Sequence, residues 1–318
     1  MTAEDIGRKL IKIGSGAVNY IVVILIALPI TFAGYALWDS KQIHQSAGKA
    51  NYAAYKPAAD DAGKSFAELV AINAEVFAWI SVYGTGIDYP VTQGPDNMKY
   101  VNTSAEGAYS LSGSIFLDCR NGKDFNDFNN ILYGHHMAKK VMFGEIESFQ
   151  DGGVFESRRY GNLYFDGKDH GIEFFAFVHT DAYDSSIFRT DVRGDKRREY
   201  LDGLYRKALN TRDIGLTEED RIILLSTCSS SSTNGRDILA GRITDGTFAD
   251  PAILVKADGA PSTDSDVFTG AAWSVPRWKI ICVSAAALGF AALIPAAYLT
   301  RDKAGMKRKW RRDIWIGY

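Results

Sequence analysis

Cysteine is scarce in this chain: 318 residues hold three, Cys119, Cys228 and Cys282. Three thiols with no CxxC pair make neither a disulfide framework nor a zinc signature. An excess of one charge is also missing. Thirty-six Lys and Arg against 38 Asp and Glu leave a formal net charge of −2, so no general basic excess draws in nucleic acid. Apolar residues at 46% and charged residues at 23% exclude a wholly disordered or collagen-like chain. No internal repeat is present, and the run Ser229–Ser232 is too short to form a segment of its own.

The near-zero net charge hides an uneven distribution. The tail Arg301–Tyr318 carries seven basic and two acidic residues, and the head Met1–Lys12 three basic and two acidic. The stretch between them therefore carries −8. Basic ends around an acidic middle form a membrane pattern. Residues 13–38 contain no charge and centre on Tyr20–Ile30; about 20 such residues cross a bilayer as a helix. A cleaved signal peptide is the alternative, but no clear small-x-small cleavage site follows. A second uncharged run, Ile280–Thr300, is followed at once by Lys303, Lys307, Arg308, Lys309, Arg311 and Arg312. A buried core helix is the alternative there, disfavoured by the basic tail and by the flanking Trp278 and Trp310. The positive-inside rule makes both ends cytoplasmic and puts the middle outside. The expected organisation is a head at 1–12, a span at 13–38, one extracellular domain at 39–260, a Ser/Thr/Asp-containing linker at 261–279, a span at 280–300 and a tail at 301–318.

Within the middle, Ala58–Ile80 has helical apolar spacing through Phe66, Leu69, Val70, Ile72, Val76 and Phe77. After it the period changes to that of strands. Trp79–Tyr83 and Ile87–Gln93 flank a Gly-Thr-Gly turn, and further strands are expected at Gly113–Cys119, Asn130–His135, Gly161–Phe165, Gly171–His179, Arg221–Cys228 and Asp237–Thr244. Helices fit Met142–Phe149 and Lys196–Leu209. Many short strands between Gly and Asn turns predict a closed or nearly closed sheet, so the fold class is mainly β with added helices.

Cys228 ends the apolar run Ile222–Cys228 just before a polar Ser/Asn/Gly loop. Such a strand end holds a side chain on a rigid support at the edge of solvent, although a free cysteine is equally at home as a small buried residue. A nucleophilic thiol needs a base nearby. His44 falls after the first span, His170 in the charged stretch Asp166–His170, and His179 at a strand end, all positions with ordinary structural readings. His135 and His136 close the strand Ile131–His136, with Gly134 leaving room for another chain. Adjacent strand residues face opposite ways, so this pair is a poor metal site. A fixed cation is the third ingredient. Arg236 follows Cys228 by eight residues at the start of the next strand, and Arg242, further along, competes with it.

The order His135, Cys228, Arg236, in the contexts Tyr-Gly-His-His-Met, Leu-Ser-Thr-Cys and Asn-Gly-Arg, resembles the sortases, specifically class B. The likeness runs from about Ala71 to Val255 and includes Phe77–Gln93, Asp96-Asn97, Gly113–Asn121, Asn130–Met137 and Met142–Gly144. It implies an eight-stranded β-barrel with helices on its N-terminal side and between late strands, flanked here by an N-terminal and a C-terminal transmembrane helix. It also implies a cysteine transpeptidase on the outer membrane face of a Gram-positive cell, needing no cofactor or metal. Cys228 is then the nucleophile, His135 the general acid/base and Arg236 the oxyanion and substrate clamp. Tyr133 and Ser226, each two residues upstream, are further pocket-lining candidates on the same faces. The implied partners are secreted proteins with a C-terminal sorting signal and an amine of the cell wall, from a peptidoglycan cross-bridge or lipid II. Two features depart from the class pattern. The second span is commoner among pilin-polymerising sortases, which leaves a pilin lysine open as the acceptor. Cys119 stands in the Leu-Asp-x-Arg run, where it reads as a barrel position. A plain cysteine hydrolase and a non-catalytic peptide-binding surface module are the remaining alternatives.

Overall fold

The structure, a computed structural model, describes residues 3–57, 64–137 and 140–251. The expected linker at 261–279, the second span at 280–300, the basic tail and Cys282 lie outside the described residues. Contacts separate the N-terminal helix up to Asp39 from a unit that begins at Ser40.

The amino-terminal helix α1 covers Ala3–Ser46, so it takes in the expected head as well as the apolar run. Its stretch Ala3–Gln42 reaches a mean hydropathy of 2.3 over its most apolar part, none of which is buried. Ile21, Val23, Ile26 and Leu28 point in different directions around the axis and are all exposed. A helix that is apolar all round suits lipid rather than a one-sided protein core. At about 1.5 Å per residue it is longer than the roughly 30 Å hydrocarbon layer requires.

In the second unit, α2 (Lys64–Ile72) precedes β1 (Val76–Val82), β2 (Asp88–Thr92), β3 (Ile115–Leu117) and β4 (Asn129–Tyr133). The short helix α3 (Gly152–Ser157) leads to β5 (Tyr160–Phe165) and the long β6 (Lys168–Asp181). Then come α4 (Lys196–Lys207), β7 (Ala208–Thr211), β8 (Arg221–Cys228) and β9 (Gly235–Thr244). The strands pair in the order β5-β1-β2-β3-β4-β8-β9-β6, and a β5–β6 pairing closes the ring at eight strands. Closure depends on the length of β6. One edge of it pairs with β9 over Gly171–Asp181; the other pairs first with β5 over Lys168–Glu173 and then with β7 over Ala176–Val178. Thus β7 is a ninth strand attached outside the ring. A closed ring leaves no unpaired edge, which is how small all-β units avoid edge-to-edge association.

Alternation along the strands builds two cores. On one face Leu132, Ile223, Leu225, Leu239 and Phe174 pack together inside the barrel. On the other, Ile131, Ile222, Leu224, Ile238 and Ala240 pack beneath Tyr200, Leu201 and Leu204 of α4 and beneath Ile187 and Val192 of the β6–α4 loop. β8 is therefore apolar on both faces, and its run Ile222–Leu225 shows no alternation in sequence.

Several expected boundaries move. The helix expected over Ala58–Ile80 stops at Ile72, because Asn73 ends it: its backbone N–H closes the last turn on Leu69, and its side-chain oxygen accepts from the Glu75 N–H at 3.1 Å. Val76, Phe77 and Ile80 then join the sheet, where β1 pairs with both β2 and β5. The helix expected over Met142–Phe149 shrinks to a tight 3-10 turn, Ile146–Gln150, while Met142 bridges His136. The helix expected through Leu209 ends at Lys207, where β7 begins. The missed α3 is capped by Asp151, whose carboxylate accepts from the Val154 N–H at 2.9 Å.

Truncating a fully buried side chain of α4 tests this second core. Leu204→Ala should lower the stability of the full-length protein by about 2–5 kcal/mol in urea unfolding, since it leaves a cavity as well as losing transfer energy. A loss below about 1 kcal/mol would mean that α4 is not part of the cooperative core.

Candidate active site

Three adjacent strands bring the sequence candidates together. β4 runs parallel to β8 with Tyr133 opposite Ser226, and the Gly134 N–H still donates to the Ser226 carbonyl at 3.1 Å, one residue beyond the strand. β8 runs antiparallel to β9 with Cys228 directly opposite Arg236. His135 and Arg236 thus flank Cys228 on neighbouring strands, which lie about 4.8 Å apart. Alternation puts Tyr133, Ser226, Cys228 and Arg236 on the face that α4 covers further along, and carries His135 to the same side. At this end the cover is gone: Cys228 is exposed, and His135 and Arg236 are half-buried.

Two glycines permit the arrangement. A Cβ at Gly134 would meet Ile115 Cδ1 at 2.5 Å and Phe143 Cδ2 at 2.7 Å, so only glycine lets β4 leave the sheet between them. A Cβ at Gly235 would collide with the Ser232 hydroxyl and come within 2.9 Å of Ser229 Cβ. Gly235 closes the loop that joins the strand of Cys228 to that of Arg236: the Ser229 N–H donates to its carbonyl at 2.9 Å.

Among the described residues the His135 ring makes one hydrogen bond, Nε2 to the Val101 carbonyl at 2.8 Å. A carbonyl only accepts, so Nε2 carries the hydrogen and Nδ1 is the nitrogen left for chemistry. The Arg236 guanidinium donates to the Gly235 carbonyl at 3.0 Å. Its neighbour Asp237 faces the other way, buried, and receives His179 Nδ1 at 2.8 Å. Arg242, the competing cation, lies six residues along β9, about 20 Å away, and is bound at 2.6 Å to Glu173. His136 turns from its neighbour and meets Glu147 at 2.9 Å. His170, in the charged stretch, lies near the start of β6 and is stacked on Phe165 with ring centres 3.9 Å apart. His44 falls within α1.

Behind the thiol the face is firm. Ser226 is buried, and its hydroxyl has no hydrogen-bond partner among the described residues. Tyr133 is packed between Phe116 and Phe188, with ring centres 5.4 and 6.4 Å away, and its hydroxyl donates to Asp118 at 3.1 Å. Burial pushes the Tyr133 phenol up, and the neighbouring Asp118 charge adds to this. Burial likewise works to raise the Asp118 carboxyl, but the fork of Arg120, at 2.8 and 2.7 Å, outweighs it and holds the group below the usual carboxylate range. Cys119, between them, is not a barrel position: it follows the end of β3 in an exposed turn, where its N–H donates to Asn97 Oδ1 at 2.8 Å.

The β6–α4 loop forms the wall beside the thiol. It is tied to the β8–β9 loop by the Ala182 N–H on the Asn234 carbonyl at 2.8 Å. It is pinned internally by Asp184, which accepts from Thr180, Ser186 and Lys207. A cavity of about 210 Å³ lies at the opposite end of β4, between Arg120, Asn126–Phe128, Thr190–Arg193 and Arg197. Among the described residues no three His, Cys, Asp or Glu side chains converge as metal ligands would.

A reachable thiol flanked by an imidazole and a guanidinium is the set that acyl transfer through a thioester uses. No protein-family model matches the chain. It is, however, 34% identical over 183 residues to sortase B of Staphylococcus aureus, spanning 74% of that protein and 56% of this one. The chain belongs to the class B sortases. As a member it is a cysteine transpeptidase on the sortase barrel. Among solved structures, it matches a Streptococcus pyogenes class B sortase involved in pilus biogenesis, with 42% identity and a TM-score of 0.53 over 98% of that chain and 57% of this one. It also matches sortase B from the type II pilus of Streptococcus pneumoniae, with 44% identity and a TM-score of 0.50 over 99% of that chain and 57% of this one.

Sequence reasoning missed four groups around this class B sortase site: the Val101 carbonyl, Glu147, Asp118 with Arg120, and the Asp184-pinned loop. The Leu-Asp-Cys-Arg run marked Asp118 and Arg120 only as part of a motif. Nothing in the order of residues signals the others, which arrive from distant segments.

The lowered carboxyls make the wall acid-sensitive. Burial acts to raise Asp184, but Lys207, Ser186 and Thr180 together pull it well below the usual range. A carboxyl depressed on folding contributes stability above its unfolded value of about 3.9, and the contribution is lost as pH falls through the folded value. Stability should therefore hold from pH 7 to about pH 5 and drop from there to about pH 2 in urea unfolding. The drop should be smaller in Asp184→Asn; an equal drop in that variant would remove Asp184 from the account.

Proposed function

We propose that the chain is a membrane-anchored sortase in which Cys228 is the nucleophile, His135 the general acid/base and Arg236 the group that stabilises negative charge on the carbonyl oxygen. The register that sets Cys228 opposite Arg236, with His135 leaving the parallel neighbour strand beside them, carries this reading. Helix α1 supports an anchor. The proposed layout has the catalytic domain at 39–260 outside a Gram-positive cell, a second transmembrane span at 280–300, and both termini on the cytoplasmic side.

The substrate is a secreted protein with a C-terminal sorting motif. The Cys228 thiolate attacks the carbonyl carbon of a Thr in that motif, and the oxyanion forms beside Arg236. The C–N bond breaks as His135, as imidazolium, gives its proton to the departing amine, leaving a thioester. An acceptor amine then attacks the thioester, its proton passes to His135, and the C–S bond breaks to return the thiolate. Because Nε2 is occupied by Val101, Nδ1 is the nitrogen that moves the proton. Tyr133 and Ser226 line the face behind the thiol, Tyr133 as wall and Ser226 as buried support. No cofactor enters any step.

The acceptor in the first reading is a cell-wall amine, from a peptidoglycan cross-bridge or lipid II. A second reading, a pilin lysine, is favoured by the comparisons: identity is 42% and 44% to the two pilus sortases but 34% to the S. aureus enzyme.

Cys228→Ala and His135→Ala should each abolish the thioester intermediate in mass spectrometry without lowering the unfolding temperature. Arg236→Ala should lower kcat by roughly 10²–10³-fold, as removal of one oxyanion donor does. A Cys228→Ala variant that still anchors its substrate would sink the proposal. Electrophoresis of cell-wall extracts separates the acceptors, because a ladder of covalent polymers marks a pilin lysine and single wall-linked chains mark a peptidoglycan amine.

A further inference from the structure

The loop after Cys228 and the segment after His135 are tied together by one carboxylate. Glu147 sits in the 3-10 turn Ile146–Gln150, whose Ile146 and Phe149 are fully buried, so its backbone is rooted in the barrel core. Each carboxylate oxygen has a separate partner. Oε2 meets His136 Nε2 at 2.9 Å, and Oε1 accepts from the Ser230 hydroxyl. His136 directly follows His135, and Ser230 lies two residues after Cys228.

The tether is unusual for its loop. Ser229 and Ser231 bond each other, and Ser232 bonds Gly235 through the backbone. Among the described residues, Ser230 to Glu147 is the one side-chain hydrogen bond from the 229–234 loop to another element. The His135 side is tied to the same segment twice more: the Phe143 N–H donates to the His135 carbonyl at 3.1 Å, and His136 bridges Met142. The Glu147 carboxyl is held below the usual range, first by the Ser230 hydroxyl and then, against burial, by His136. That agrees with a charged carboxylate serving both contacts.

We propose that Glu147 is a positioning residue of the transpeptidase: it clamps the strand ends that carry the imidazole and the thiol, through His136 and Ser230, and so fixes the distance between His135 and Cys228. The inference rests on the assignment of Cys228 and His135 above. Glu147 touches neither of them and takes no part in the bond-making steps. β4 and β8 hold the register of the strands, but both reacting side chains stand at or beyond the strand ends. The carboxylate closes that gap from outside the sheet. A displacement of about 1 Å in such a pair can cost up to a hundredfold in rate.

The test uses iodoacetamide on the full-length chain in detergent at neutral pH, with alkylation of the Cys228 peptide followed by mass spectrometry so that Cys119 and Cys282 do not interfere. Glu147→Ala should slow alkylation of Cys228 by roughly tenfold or more, an effect within the range for misplaced catalytic groups. Glu147→Gln, whose amide oxygen still accepts from Ser230, should restore most of the rate. Ser230→Ala should act in the same direction, and Glu147→Ala combined with Ser230→Ala should be no slower than Glu147→Ala alone, because both break one clamp. Wild-type alkylation in Glu147→Ala, no recovery in Glu147→Gln, or strictly additive losses in the double variant would each overturn the clamp. If Glu147→Ala fails to fold, as shown by its melting curve, Ser230→Ala decides alone: an unchanged rate overturns the proposal. His135→Ala separates the two levels, since an unchanged rate there would sink the thiol–imidazole pairing itself, whereas a slowed rate with Glu147→Ala at wild-type speed would sink only the clamp.

Discussion

Because β4 runs parallel to β8, the two strands finish at the same end of the sheet, and that direction decides where chemistry can occur. A thiol and an imidazole 93 residues apart in the chain leave the barrel side by side. Had β4 paired antiparallel, Tyr133 and Ser226 would lie at opposite ends, and the imidazole would stand a strand length from the sulfur. Antiparallel pairing of β8 with β9 does the opposite job with a short loop: it folds Arg236 back against Cys228 at once. One parallel and one antiparallel neighbour therefore place an imidazole and a guanidinium on the two sides of a thiol.

The register of these pairings is held by burial. β8 is packed on both faces, inside the barrel through Ile223 and Leu225 and beneath α4 through Ile222 and Leu224. A slip of one residue would exchange the faces and send Cys228 inward, towards the side now occupied by Thr227 and Asp237. Buried polar groups add direction. The Asn130 side chain donates to the Ile222 carbonyl at 3.1 Å and to the Asp127 carbonyl at 2.8 Å, fixing the start of β4 against the start of β8. Asn129 binds Tyr200 and the Arg189 carbonyl, which joins the same strand to α4 and to the loop that bears Phe188. The firmness of the reacting end thus originates about 20 Å away, at the other end of the strands.

The surroundings of the thiol divide into rigid and tethered parts. Tyr133, Phe116 and Ser226 belong to the packed sheet. The β6–α4 loop and the β8–β9 loop are held by carboxylates, Asp184 in one and Glu147 for the other, each depressed by its hydrogen-bond donors. Polar tethers suit segments that must hold a shape while facing water. Helix α1 and this domain obey different rules: α1 exposes apolar side chains all round, whereas β8 has its two faces set by packing partners within the protein.

Much of this was legible in the amino-acid order. The uncharged run at 13–38 needs only length and composition to be read as a helix fit for lipid. Most strands stood out as short β-branched or aromatic runs between Gly and Asn, and Cys228 was marked by an apolar run that ends at a polar loop. Boundaries failed where a local signal was outvoted. Val76 and Phe77 keep helical spacing with Phe66 and Leu69, yet Asn73 ends the helix, and two neighbouring strands pair with the residues from Val76 onward. Cys119 read as a barrel residue because its neighbours do, but β3 stops at Leu117. The amino-acid order alone determined which residue types could carry acyl-transfer chemistry, and where strands could start. Only the tertiary structure decided which nitrogen of His135 is bound to the Val101 carbonyl, that Arg236 and not Arg242 stands beside the thiol, and that Glu147 reaches both His136 and Ser230. Those answers depend on strand direction and register, which are set by long-range packing and are invisible to any window of sequence.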